Sequence, residues 1–244
     1  AAGQALEARK PVKRFWKDAT LTRLEDGWQV ELDGRAVKTR AGAPQVLPTR
    51  ALADLLRAEW ASAPEEFAAD ALPMRDLADR AIDTISADRE PIIARLLDYA
   101  DGDTLCYRAQ PDEAVARRQT QVWEPIVAGI EQDLGITLSR THGILHKPQT
   151  EASKAAIRQR LESENAFVLA GLDAATSLAA SLCVALTGLR DDADLHALWA
   201  AANLEEDFQA EQWGTDEEAL ARRTAREVEF ARALAFARAA RSAD

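Results

Sequence analysis

Three consecutive carboxylates, Glu205, Glu206 and Asp207, run straight into Phe208 and then Trp213 and Gly214. Successive side chains on a helix stand about 100° apart, so three in a row cannot share one face. Whichever stripe packs on the core, at least one of Glu205 and Glu206 lies beside it. A partly desolvated acid in that position would await a basic group; the plainer alternative is a rim carboxylate turned to water. Burial could also tune such an acid for proton transfer, but nothing nearby completes a catalytic set. The chain has no Walker phosphate loop, dinucleotide fingerprint or nucleophile elbow. His142 and His146 are four apart, yet Gly143 between them favours a turn over a helical ligand pair. A zinc site would want three or four ligands at recognisable spacing, and a di-iron bundle would want Glu-x-x-His pairs. No metal and no cofactor are expected. Cys106 and Cys183, far apart and among apolar neighbours, read as buried reduced thiols, which favours a reducing compartment.

The acidic triplet sits in an unusual stretch. The whole chain of 244 residues has a net charge of -11, which excludes a nucleic-acid protein because phosphate neutralisation needs clustered Lys and Arg. Residues 1–50 carry ten basic and six acidic groups, whereas residues 191–244 carry six and thirteen. Between Asp191 and Ala221 ten carboxylates meet no Lys or Arg. Charge runs usually become solvated faces. Here, however, like charges at helical spacing forgo ion-pair support and repel by a few tenths of a kcal/mol each, so cations from outside the segment are expected to supply the balance.

Such residues must be positioned by something. Ala1 to Arg9 has no periodicity and reads as a frayed arm or trimmed end, and no apolar run forms a signal peptide. From Lys13 to Thr39 short β-prone runs are punctuated by Asp26-Gly27 and Asp33-Gly34, the pairs that suit tight hairpin turns. Trp28, Val30 and Leu32 alternate with polar residues, giving an antiparallel meander with one buried face. Thr49 caps a helix over Arg50–Ser62, and further helices are predicted at Arg75–Ser86, Glu90–Tyr99, Pro111–Leu134, Thr150–Ser163, Ala166–Leu186, Asp194–Gln212 and Asp216–Ala239. Thr104 to Arg108 reads as extended, and Ile136 to Lys147 as a loop or short β excursion. The run from Ala166 to Leu189 has only Asp173 as a charge, but Thr176, Ser177, Ser181 and Thr187 dilute it. It reads as a buried bundle helix, with no membrane insertion. The fold class is therefore α+β, with a small N-terminal β-rich antiparallel domain (1–80, including a flanking helix) and a larger all-helical C-terminal domain (81–244).

Seven motifs, in order, make the chain resemble the ATP synthase F1-alpha assembly chaperone family. They are Arg14-Phe15-Trp16-Lys17; Leu32-Asp33-Gly34-Arg35 with Val37-Lys38-Thr39; Glu59-Trp60; and Leu72-Pro73-Met74. After these come Asp98-Tyr99 with Asp103-Thr104-Leu105-Cys106-Tyr107-Arg108; Trp123-Glu124-Pro125; and Leu204-Glu205-Glu206 through Trp213-Gly214. The similarity runs from about Arg14 to Ala239, departing at Thr39-Arg40, where the family usually has Thr-Pro.

The resemblance implies a non-enzymatic chaperone that binds the free alpha subunit of the F1-ATPase head and prevents its aggregation until beta replaces it. It makes Glu205 the match of a functionally important acid and Trp60 the match of a sensitive aromatic position. The expected client-binding residues are Glu205, Glu206, Asp207, Phe208, Trp213 and Trp60, on a protein that is a monomer when free. A bacterial cytoplasmic member is expected, since no transit peptide precedes Arg14; a eukaryotic one would occupy the mitochondrial matrix. The alternatives are an enzyme acting through carboxylates of the helical domain on a small basic substrate, and a constitutive structural subunit.

Overall fold

The structure, a computed structural model, describes residues 11–68, 70–143, 147–214 and 216–241. The arm expected over Ala1 to Arg9 and the side chain of His146 lie outside them. The chain begins with β1 (Val12–Lys13), β2 (Ala19–Arg23), β3 (Trp28–Leu32), β4 (Arg35–Ala36) and β5 (Val46–Leu47). Central β3 pairs antiparallel with β2, β4 and β5. The Asp33-Gly34 turn has both φ angles positive, 49° and 75°, the geometry that joins two twisted strands in two residues.

Helix α1 (Arg50–Ser62) starts at Thr49, whose hydroxyl accepts the Leu52 N–H at 3.1 Å. It packs on β2, β3 and β5. β6 (Glu66–Phe67) returns to pair with β1. Trp16 lies beneath, edge-on to Trp60 with ring centroids 5.0 Å apart, and its indole N–H donates to the Trp60 carbonyl at 3.2 Å. Glu59 accepts the Met74 and Arg75 N–H groups at 2.9 Å each, so its carboxylate caps α2 (Pro73–Arg80), the helix opened by Leu72-Pro73-Met74. Burial pushes this carboxyl above its ordinary range, against the pull of those two N–H groups.

The helical part continues without a linker. α2 runs directly into a π-helical turn, Ala81–Ile85, at the boundary expected between residues 80 and 81. It is followed by α3 (Glu90–Asp101), a short 3-10 turn at Thr104–Cys106, β7 (Tyr107–Arg108), α4 (Ala114–Leu134) and β8 (Thr141–His142), which pairs parallel with β7. Then come α5 (Glu151–Glu162), α6 (Ala166–Ala179), α7 (Leu182–Gly188), α8 (Leu195–Ala202), α9 (Leu204–Trp213) and α10 (Glu217–Arg241). α6 is buried nearly all round, and α10 packs along it. Asp173, the single charge of that run, is 1% exposed and bound to Arg80 at 2.7 Å and Arg95 at 3.3 Å. Among the described residues, no helix is long and apolar enough to cross a membrane. The α+β class holds, with strands confined mostly to the N-terminal part.

Two predicted helices are each split in two. The run from Ala166 breaks at Ala180, whose φ of 50° is left-handed. The Thr104 hydroxyl donates to the Ala180 carbonyl at 2.8 Å, and the Ser181 hydroxyl both caps α7 and donates to Asp103 at 2.7 Å. The run from Asp194 breaks at buried Asn203, whose side-chain amide donates to the Trp199 carbonyl at 2.8 Å, a local bond that competes with helix continuation.

Candidate binding surface on the acidic helix

Helix α9 is short, and of its ten residues only Leu204 is fully buried. Its first turn carries Glu205, Glu206 and Asp207, where the exposed N–H groups of a helix start favour negative charge. The helix forms a wall between two open hollows. On one side a groove of about 600 Å³ separates it from α10, lined by Glu206, Trp213, Arg222, Arg223 and Arg226 among others. On the other side a cleft of about 470 Å³ contains Glu205 and Phe208, facing Tyr107, Glu113 and Val115.

Five of the six residues nominated from the sequence thus lie together on α9. Glu205 and Glu206 are exposed, Asp207 and Phe208 half-buried, and Trp213 is 84% exposed. Trp60 is elsewhere: it is 8% exposed inside the N-terminal aromatic cluster, with the Arg75 guanidinium over its ring. It offers no surface for a client in this conformation and acts through packing.

Some of the missing cations of the acidic stretch come from elsewhere in the chain, in line with the expectation of balance from outside the segment. Arg118 of α4 binds Glu211 at 2.8 Å, Arg223 of α10 pairs with Asp207, and Arg190 lies 3.7 Å from Asp192. Asp194 is used as the cap of α8, accepting the Ala197 N–H at 3.1 Å. Glu205 accepts the Gln119 amide at 2.6 Å. Asp191, Glu206 and Glu217 keep no hydrogen-bond or ionic partner among the described residues.

Gln119 was not among the nominated residues, although a signal existed. The buried stripe of α4 is Gln119, Trp123, Val127 and Ile130, so a glutamine occupies a position that the helical period assigns to an apolar side chain. A polar residue there must find buried partners.

His196 of α8 lies 2.5 Å from Glu227 of α10, and that hydrogen bond raises its pKa above the ordinary 6.5. A proton held more tightly when folded stabilises the fold fully below the ordinary value, and the contribution fades as pH rises through the raised one. The melting-temperature gap between wild type and His196→Ala is therefore expected to narrow from mildly acidic to alkaline buffer. A gap independent of pH would contradict the pairing.

Much of the other six motifs is spent within the molecule, although Phe15, Lys17, Arg35 and Lys38 are exposed. Asp33 accepts backbone N–H groups of Asp18 and Lys17 at 2.9 and 3.0 Å, which holds its carboxyl below the usual range. Asp103, fully enclosed, accepts from Ser181, Cys183 and Leu105, and burial raises its pKa. Cys106 and Cys183 are both buried and free, beside that carboxylate. Glu124 binds Arg108 and Arg140, while Trp123 is fully enclosed. The α9 motif gathers exposed carboxylates and a strongly exposed tryptophan on one short helix. Among the described residues, no group of three or more metal-ligating side chains is gathered.

Comparison with known proteins agrees with the seven motifs. Residues 13–131 match the family described as ATP12 chaperone protein. The chain is 30% identical over 221 residues to "Protein atp12, mitochondrial" of Schizosaccharomyces pombe, covering 85% of this chain and 75% of that protein. It is 28% identical over 254 residues to "Protein ATP12, mitochondrial" of Saccharomyces cerevisiae, covering 86% and 78%. The crystal structure of Atp12 from Paracoccus denitrificans superposes with a TM-score of 0.86 at 33% identity, covering 94% of this chain and 98% of that one. A protein of Agrobacterium tumefaciens gives 0.87 at 38% identity, covering 93% and 85%. The matching family is described as a chaperone family, and the chain belongs to the ATP12 family of ATP synthase assembly chaperones.

Proposed function

We propose that the protein binds the unassembled alpha subunit of the F1 sector through the α9 surface and keeps it from aggregating until beta takes its place. One observation supports this reading above the rest: one short helix, α9, presents Glu205, Glu206 and the strongly exposed Trp213 to solvent, with half-buried Phe208 beside them. An exposed tryptophan beside carboxylates is a suitable anchor, because aromatic side chains carry much of the energy of interfaces and charges set approach and selectivity. Release needs no nucleotide, since exchange for a partner with the larger native interface suffices. The free protein acts as a monomer, in the bacterial cytoplasm, the counterpart of the mitochondrial setting in the names of the yeast relatives.

The test is Glu205→Lys, assayed by light scattering of purified alpha subunit diluted from denaturant. Glu205 is exposed, so circular dichroism and melting are expected to stay close to wild type while suppression of aggregation is abolished. Undiminished suppression would overturn the reading.

A further inference from the structure

We propose that the cleft between α9 and the β7–α4 connection is a socket for one basic side chain of the client, an arginine or lysine, and that Gln119 is the positioning residue that aims the receiving carboxylate. The inference rests on the reading that the client docks on α9, and deepens it by naming what the cleft takes.

Gln119 is fully enclosed. Its carbonyl oxygen accepts the Ala109 N–H at 2.8 Å, which fixes which end of the amide is which, and its NH₂ group then donates to Glu205 Oε1 at 2.6 Å. The Glu205 carboxylate is therefore tethered from below by a side chain that cannot turn. Its other oxygen, Oε2, has no donor among the described residues. An exposed glutamate usually loses rotamer freedom when it binds a partner; here that loss has already been taken.

The rest of the cleft selects for a cation. Its one guanidinium, Arg108, is committed: Nε donates to the Leu105 carbonyl at 2.6 Å, Nη2 reaches Glu124 at 3.2 Å, and the group lies 5.5 Å from the Trp123 ring centre. The Thr104 hydroxyl is spent on the Ala180 carbonyl. Glu113 uses one carboxylate oxygen on the Gln110 N–H at 2.7 Å. Acceptor capacity remains on two carboxylates of the cleft, Glu205 and Glu113. Tyr107, Val115 and Phe208 add apolar wall along which the methylene stem of a Lys or Arg can lie. At about 470 Å³ the hollow falls within the size range of small-ligand sites.

The probe is N-acetyl-L-argininamide, whose only charge is the guanidinium, with N-acetyl-L-norleucinamide as an uncharged control on the same walls. Titrations are followed by NMR on the Gln119 side-chain NH₂ and the Phe208 and Gln209 amides. Saturable shifts are expected with the arginine compound, weakened roughly tenfold or more by Glu205→Gln, the scale of one charge-assisted hydrogen bond. Gln119→Met is expected to weaken the arginine compound similarly while leaving the norleucine compound unchanged. Shifts scattered over the surface, absent, or indifferent to Glu205→Gln would overturn the socket. Equal weakening of both compounds by Gln119→Met would overturn the positioning role, leaving that residue a purely structural one. The two readings fail separately: aggregation suppression that depends on Glu205 without arginine binding sinks the socket alone, and arginine binding with undiminished suppression sinks the docking surface.

Discussion

A Trp123→Ala protein is expected to lose about 3–5 kcal/mol of stability, the usual cost of deleting an enclosed tryptophan, from a total that for a domain is roughly 5–15 kcal/mol. Trp123 is 0% exposed on α4. Its indole N–H donates to the Ala201 carbonyl at 2.7 Å, in the last turn of α8, and Arg108 covers its ring. Removing it opens a cavity and leaves buried partners unsatisfied in the elements that seat α9. Trp123→Phe separates the two effects: most of the volume stays, and the lost N–H bond costs about 1–3 kcal/mol. Urea denaturation measures both, with an unchanged slope showing that the folded state is intact. A loss in Trp123→Ala no larger than in Trp123→Phe would show that the ring's volume contributes little.

The second large effect is expected at Gly171. A Cβ there would stand 2.6 Å from the Ala233 carbonyl oxygen and 2.8 Å from the Ala237 Cβ, so α6 and α10 touch backbone to backbone. Alanine ordinarily gains about 1 kcal/mol over glycine inside a helix. At Gly171 that gain is outweighed, because a backbone oxygen cannot swing aside and the helices must part. Gly171→Val is expected to destabilise by about 3 kcal/mol, at the upper end of overpacking costs. Gly129, inside α4, is the control: the nearest atom to its Cβ is Arg190 Nη1 at 4.0 Å, so Gly129→Ala should stabilise by about 0.5–1 kcal/mol. Thermal melts of the three proteins decide it, and a stabilised Gly171→Val would refute the close crossing.

The sequence made visible those features that arise from near neighbours. The Asp33-Gly34 hairpin is a matter of two residues and two positive φ angles, and α1 needs only Thr49 and a spaced row of leucines. The break at Ala180 could not be read that way. Alanine is a helix former, and what bends the chain there is Asp103 and Thr104, 76 to 80 residues earlier, drawing on Ala180, Ser181 and Cys183. The site follows the same division. The acidic segment and its aromatic residues were evident from composition, whereas the arginines that neutralise it were not. Arg118 meets Glu211 across 93 residues, a contact that only the packing of α4 against α9 creates. Gln119 was hidden for the same reason, its importance resting on a backbone N–H and a carboxylate from two other elements.

The helix crossing at Gly171 also has a consequence for how the protein is made. α6 finds its cover in α10, the last helix among the described residues, and the N-terminal part is tied to the same helix, the Thr49 hydroxyl donating to the Ala239 carbonyl at 2.6 Å across 190 residues. Asn165, at the head of α6, donates to the Ala240 carbonyl at 3.0 Å. A nascent chain emerging from the ribosome therefore carries this apolar helix without its α10 cover until the final turns of α10 are released. Transiently bare apolar surface of that kind invites aggregation. During its own synthesis this chaperone faces the hazard from which it is proposed to shield its client.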